Sequence, residues 1–143
     1  ARLVDYIHFQ SVLMGYQYIY SYMVKGGANE ISSLAQDVID SATLGIQTEP
    51  DVPGQHMMRH ILEGAESLKN AKNVSERQEA FASISDALFP FFKLWPNQLM
   101  RSRLKICRCK SGHQWLQPDN CPTACPYSLN KSSNCLTIEE TIY

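Results

Sequence analysis

All five cysteines of this 143-residue chain lie in one segment near its end, between Cys107 and Cys135. Residues 1–106 contain no cysteine, and the segment also holds His113, one of four histidines. Cysteines so concentrated indicate either a tail stapled by disulfides or a metal site built from thiolates. We therefore interpret the chain as a scaffold that presents a thiol-rich tail.

The spacing of the thiols is C-x-C, eleven residues, C-x3-C, nine residues and a last C. Cysteines this close in sequence can converge on one soft ion without a long loop closure. The spacing differs from the C-x2-C pairs of zinc ribbons and knuckles. An imidazole can join the thiolates, since His113 follows Gly112 within the segment. The candidate ligands in the tail are Cys107, Cys109, His113, Cys121, Cys125 and Cys135.

Three interpretations of the tail compete. Two structural disulfides with one cysteine left over suit an exported protein. A thiolate or thiolate-imidazole site suits a soft or borderline ion such as Cu(I), Ag(I) or Zn(II). A redox or nucleophilic thiol is the third, although the sequence has neither a C-x-x-C motif nor a local Cys/His signature to support it.

The residues before the cysteines show the apolar periodicity of amphipathic helices. The predicted helices cover residues 3–25, 29–44, 53–71 and 75–88. Prolines and glycines between Gly45 and Gly54 predict a loop. Pro90 is expected to kink or end the last helix, because proline lacks an N–H and crowds the carbonyl four residues back. Four helices joined by short loops predict an antiparallel bundle.

The first predicted helix is dense in tyrosine, with Tyr16, Tyr18, Tyr20 and Tyr22 in one short run. We interpret these tyrosines as half-buried packing residues whose hydroxyls lie at the surface. The face expected to point to the core comprises Leu3, Val4, Ile7, Met14, Tyr18 and Tyr22.

The third predicted helix carries a second set of candidate ligands. His56 and His60 lie one turn apart, with Glu63 on the same face and away from the apolar stripe. Two such imidazoles can chelate one ion, and Met57 and Met58 beside them would suit a soft metal. A polar stripe that simply faces solvent explains the same pattern.

The charge balance argues against a nucleic-acid partner. Thirteen basic and 14 acidic residues leave a net charge of -1, whereas phosphate recognition needs a clustered basic excess. The basic run from Arg101 to Lys110 is interrupted by apolar residues and is interpreted as a solvated helix end.

Motifs of the common enzyme and cofactor classes are absent from the sequence. It contains no GxGxxG, P-loop, GxSxG, HExxH or CxxCH pattern. No segment has the roughly 18 uncharged apolar residues that a membrane span requires. We therefore expect a binding protein with no organic cofactor and no catalytic residues, rather than an enzyme.

Several short sequence elements follow one another in a particular order along the second half of the chain. Arg77, Phe81, Ser85 and Leu88 are followed by Cys107-Arg-Cys109, Trp115-Leu116, Cys125-Pro126-Tyr127 and Cys135. This order, together with the helical run from Ile61 to Lys93, resembles a helical domain of formerly unknown function. That domain is found beside or fused to the periplasmic adaptor proteins of heavy-metal (copper/silver) RND efflux systems.

The resemblance implies a periplasmic or otherwise exported module that handles a soft metal, with an efflux adaptor or another protein as partner. It implies metal ligation by Cys107 and Cys135, and by His56 or His60. The chain departs from the family pattern at Arg108 and Cys109, which replace a proline and a methionine. It departs again at Cys125, which replaces an asparagine, and Cys121 is additional.

From the sequence we predict an all-α fold: an antiparallel four-helix bundle over residues 1–104 with an irregular cysteine-rich extension, 105–143, packed on it as a single domain. The predicted function is soft-metal binding (copper, silver or zinc) in an exported metal-handling or efflux system. The alternative is a disulfide-stapled structural or protein-interaction domain without metal.

Overall fold

Four helices precede a small antiparallel sheet. The computed structural model describes residues 7–48, 54–92, 104–109, 111–118, 124–127 and 138–141. The helices are α1 (Ile7–Lys25), α2 (Ala28–Thr48), α3 (Gln55–Lys69) and α4 (Val74–Phe92), and the strands are β1 (Leu104–Cys109), β2 (Gln114–Pro118) and β3 (Ile138–Thr141). None of the helices in these ranges is long and apolar enough to cross a membrane.

The four predicted helices are confirmed, and each packs on the next one along the chain. Gly26 and Gly27 join α1 to α2 with φ angles of 83° and 141°, a region that favours glycine. Asn73 caps α4, because its side-chain oxygen accepts the backbone N–H of Glu76 at 2.8 Å. These tight connections fold the helices into a bundle.

The buried face of α1 differs from the predicted one. Ile7, Met14 and Tyr18 are 66%, 50% and 54% exposed, whereas Tyr16 and Tyr20 are buried. Tyrosines can occupy the core face because their hydroxyls find hydrogen-bond partners there. The interpretation of these two tyrosines as half-buried residues with surface hydroxyls is therefore wrong, and Leu3 and Val4 lie outside the described residues.

The core faces of the other helices are confirmed at most positions. The fully or nearly fully buried residues are Ile31, Ala35, Val38 and Ala42 of α2, Met58, Ile61, Ala65 and Leu68 of α3, and Phe81, Ile84 and Leu88 of α4.

Two predicted helix ends are wrong. The second helix continues to Thr48, because Gly45 lies buried inside it. The fourth continues past Pro90 for two residues, so proline is tolerated in its last turn.

Two glycines let neighbouring helices approach closely. A Cβ atom on Gly15 of α1 would lie 2.6 Å from Cγ2 of Val38 on α2. A Cβ atom on Gly64 of α3 would lie 2.7 Å from Cγ1 of Ile84 on α4. Both distances are shorter than van der Waals contact, so alanine does not fit at either crossing without a shift.

The helical part of the predicted fold is confirmed, but the fold is not confirmed as all-α, because the extension is not irregular and forms a sheet in the order β2-β1-β3. Ile106 pairs with Leu116 and Cys107 with Trp115 across the β1–β2 hairpin, and β3 pairs antiparallel with the other edge of β1. Residues 104–109 of the run interpreted as a solvated helix end therefore form a strand. Its alternation of Leu104, Lys105 and Ile106 has the period of two that a strand requires.

The sheet shares one hydrophobic core with the helices. Trp115 and Leu116 of β2 are fully buried, and they belong to the same cluster of apolar side chains as Phe81 and Tyr16. The extension is thus packed on the bundle, as predicted, and its hairpin is held at a fixed place relative to α1 and α4.

Candidate metal centre

The tip of the β1–β2 hairpin brings Cys109 and His113 together. The N–H of Cys109 donates to the carbonyl oxygen of His113, and the N–H of Gly112 donates to that of Cys109, both at 3.0 Å. Gly112 has a φ of 90°, which is the left-handed conformation that tight hairpins assign to glycine. As a result, Sγ of Cys109 lies 3.4 Å from Nδ1 of His113.

Cys125 reaches the same place on a separate segment, residues 124–127. The hydroxyl oxygen of Tyr20 lies 2.7 Å from the carbonyl oxygen of Ala124 and accepts the N–H of that residue at 3.3 Å. The same hydroxyl lies 2.7 Å from Oε1 of Gln117, which is fully buried. Tyr20 therefore ties the segment that bears Cys125 to both the first helix and the hairpin.

The ligand atoms of Cys109, His113 and Cys125 lie within 4.8 Å of one another. Cys109 and Cys125 are 4% and 7% exposed, and His113 is the most exposed of the three. Tetrahedral coordination by zinc places a sulfur and a nitrogen about 3.5 Å apart, and two sulfurs about 3.8 Å apart. The observed sulfur-to-nitrogen distance of 3.4 Å is close to that requirement.

Tyr127 forms an aromatic wall beside the three ligands. Its ring centroid lies 4.8 Å from that of His113, 6.4 Å from that of Trp115 and 6.0 Å from that of Phe81. Burial raises the pKa of the Tyr127 hydroxyl well above its usual range, with a smaller contribution from nearby ionisable groups that include Tyr16. The ring therefore stays neutral and restricts the imidazole of His113 to one side.

Tyr16 holds the other strand of the hairpin against the helices. Its hydroxyl donates to the carbonyl oxygen of Leu116 at 2.9 Å and accepts the N–H of the same residue at 3.2 Å. The hydroxyl also lies 3.1 Å from Oγ of Ser85, and its ring stacks on Phe81 at 5.1 Å. Desolvation raises the pKa of Tyr16 above its usual range, so its proton is retained.

A cavity of about 480 Å³ opens beside His113, between the hairpin tip and α4. Glu79 and Asp86 of α4 contribute carboxylates to its lining, and Tyr127 closes one side. Desolvation raises the pKa of the Asp86 carboxyl. Of the three ligands, His113 lines the cavity, which therefore gives solvent and ions access to its imidazole.

Of the candidate ligands, the structure brings together Cys109, His113 and Cys125. Cys107 is fully buried in register with Trp115 and does not belong to the group. His56 and His60 form a separate pair on α3. The predicted ligands Cys121 and Cys135 lie outside the described residues. No sulfur is bonded to another among the three cysteines that the structure describes.

The residues that position the ligands were not recognised in the sequence. Tyr16 and Tyr20 lie one helical turn apart, a spacing that puts them on one face, but nothing in the sequence names partners a hundred residues away. A signal for the hairpin was present, because Ser111-Gly112 lies between two short runs rich in apolar residues.

Comparisons with known proteins give no family assignment: no family model, no curated protein and no solved structure matches the chain.

Proposed function

We propose that this chain is a soft-metal-binding module whose site is formed by Cys109, His113 and Cys125. The observation that carries the proposal is the convergence of two sulfurs and one imidazole nitrogen within 4.8 Å. Two of these ligands flank the turn of a hairpin and the third lies on a separate segment, so local sequence proximity alone does not explain the meeting of all three. Bound as thiolates and neutral imidazole, they suit Cu(I), Ag(I) or Zn(II).

The number of ligands separates these ions. Three donors satisfy a three-coordinate Cu(I) or Ag(I) ion, whereas tetrahedral Zn(II) requires a fourth ligand. The cavity beside His113 offers room for a water or another small ligand in that fourth position. Binding releases protons from the thiols, so the affinity for metal falls as the pH is lowered.

The wider role that we propose is metal handling in an exported compartment, in contact with an efflux adaptor or another protein. Its support is the order of sequence elements from Arg77 to Cys135 described above. In this role the protein holds and transfers an ion, and it catalyses no reaction.

The test is anaerobic titration of the fully reduced, metal-free chain with Zn(II) and with Cu(I), each against a competing chelator of known affinity. We expect the chain to bind one equivalent of metal tightly. Cys109→Ser and Cys125→Ser should each lower the affinity for metal at least tenfold. Cys107→Ala is the matched control, because that thiol lies outside the group of three. X-ray absorption of the loaded protein then counts sulfur and nitrogen ligands.

Two results would overturn the proposal. One is an affinity for metal that is unchanged when both Cys109 and Cys125 are replaced. The other is a natively purified chain with no metal and a disulfide between Cys109 and Cys125. The second result would favour the structural, disulfide-stapled domain, since two sulfurs within 4.8 Å are near enough to be joined after a small movement.

A further inference from the structure

The pair His56 and His60 on α3 has a geometry of its own. The two Nε2 atoms lie 3.0 Å apart, and the rings meet edge to face with centroids 4.4 Å apart at 87°. Both side chains are exposed. The pair therefore lies at the surface, where an ion can reach it.

The methionine sulfurs that were expected to assist this histidine pair do not lie beside it at the surface. Met57 and Met58 are 2% and 0% exposed and belong to the hydrophobic core. The sequence-based suggestion of a thioether-assisted soft-metal site at these histidines is therefore wrong, because α3 turns both sulfurs inward. What remains at the surface is imidazole nitrogen, with the exposed carboxylate of Glu63 on the same face and solvent oxygen, and these donors suit borderline divalent ions.

The distance between the nitrogens indicates the preferred geometry. An ion bonded to both nitrogens at about 2.0–2.1 Å would see them at an angle of about 91–97°. That angle is near the right angle of square-planar and octahedral coordination and well below the tetrahedral one. Cu(II) and Ni(II) prefer square-planar or tetragonal arrangements of nitrogen and oxygen ligands.

We propose that His56 and His60 form a second metal site, independent of the thiolate cluster, that chelates a divalent ion of Cu(II) or Ni(II) type. In the empty site the N–H of one imidazole donates to the nitrogen of the other across 3.0 Å. A bound ion lies to one side of the line between the two nitrogens, so both rings turn their lone pairs toward it, and the ring that donated carries its proton on Nδ1 instead. The helix supplies the preorganisation, because α3 is packed between α2 and α4.

The probe for the test is Ni(II), because free thiols reduce Cu(II). The full-length chain carrying Cys109→Ser and Cys125→Ser is titrated with Ni(II) by calorimetry and by NMR of the imidazole nitrogens. We expect one equivalent, with perturbation of the His56 and His60 resonances. His56→Ala and His60→Ala should each lower the affinity at least tenfold, and His8→Ala, on α1, should leave it unchanged.

Chelation also predicts how the losses combine. If both rings hold one ion, each single variant retains one imidazole that binds the ion weakly, and the double variant loses binding at this place altogether. Helical content measured by circular dichroism verifies that the variants fold. Losses below twofold for the single variants, or a double variant that still binds one equivalent with the affinity of the parent, would overturn the proposal. Because the thiolate ligands are absent throughout, failure here leaves the proposal for Cys109, His113 and Cys125 untouched.

Discussion

The hydroxyl of Tyr20 lies 2.7 Å from the carbonyl oxygen of Ala124, across a separation of 104 residues. Ala124 immediately precedes Cys125, so this contact fixes the position of one ligand of the candidate metal centre. The residue that makes the contact, Tyr20, lies far from that ligand in the sequence. The first helix thus takes part in building a site to which it contributes no ligand.

Replacing Tyr20 with phenylalanine should weaken metal binding without removing a ligand. Loss of the hydroxyl removes the hydrogen bonds to Ala124, and removal of such supporting groups typically lowers the affinity for metal about 10- to 100-fold. Competition titration with Zn(II) measures the change. Tyr18→Phe is the matched control, because Tyr18 is 54% exposed on the same helix. Equal affinities for the two variants would show that Tyr20 does not position Cys125.

Replacing Tyr16 with phenylalanine should destabilise the fold. The variant leaves the N–H and carbonyl groups of Leu116 without their partner in a buried place, which costs about 1–3 kcal/mol. Urea denaturation monitored by circular dichroism gives the free energy of unfolding. Tyr18→Phe again serves as control and should change it little. A stability of Tyr16→Phe within error of the parent would contradict the role assigned to this hydroxyl.

Alkaline pH should unfold the protein in part through Tyr16 and Tyr127, whose pKa values burial raises above the unfolded value of about 10. Between the unfolded and folded pKa values, the folded state retains protons that the unfolded state has released. The contribution of each such tyrosine to stability is therefore fully present below pH 10. As the pH rises further, the free energy of unfolding falls by up to about 1.4 kcal/mol per pH unit for each of them. Urea titrations from pH 9 to 11 should show a shallower fall for Tyr16→Phe than for the parent chain.

Replacing Gly64 with alanine should destabilise the contact between α3 and α4. Alanine improves helix propensity by about 1 kcal/mol, but overpacking a tight core typically costs about 1–3 kcal/mol. The new Cβ would lie 2.7 Å from Ile84, so we expect a net loss. Ser33→Ala, at an exposed helical position, is the control for propensity alone. A Gly64→Ala chain that melts higher than the parent would contradict the close helix approach.

Metal should stabilise the folded chain through the thiolate site. Free Zn(II) at about 100 times its dissociation constant adds about 2.7 kcal/mol to the free energy of unfolding. A chelator such as EDTA should reverse the shift, and Cys125→Ser should abolish it. Differential scanning calorimetry of the reduced protein, with and without metal, measures the effect. An identical shift in parent and variant would place the stabilising ion elsewhere.

The sequence predicted the helical part of the fold well, because its apolar periodicity is strong. Ile61, Ala65 and Leu68 recur at spacings of three and four and are all buried on the core face of α3. The face of α1 was predicted wrongly. Tyr16 and Tyr20 are buried through hydrogen bonds to residues a hundred positions away, and local pattern carries no information about such partners.

The candidate site was predicted in composition but not in arrangement. Cys109 and His113 were both named as ligands, yet strand β1, which ends at Cys109, was mistaken for part of a helix end, because its charged residues obscured a short period-two pattern. The selection of Cys125 from the remaining cysteines depends on the tertiary contact at Ala124. Whether Cys121 and Cys135 take part stays a prediction.

The contact between Tyr16 and Leu116 has a consequence for association between chains. Strand β2 lies at one edge of the described sheet, and an open edge invites strands of other molecules to pair with it. The hydroxyl of Tyr16 hydrogen-bonds to the outward-facing N–H and carbonyl groups of Leu116. Pro118, at the end of the strand, has no N–H to donate. The first helix thereby protects the sheet against intermolecular β-pairing and the aggregation that follows from it.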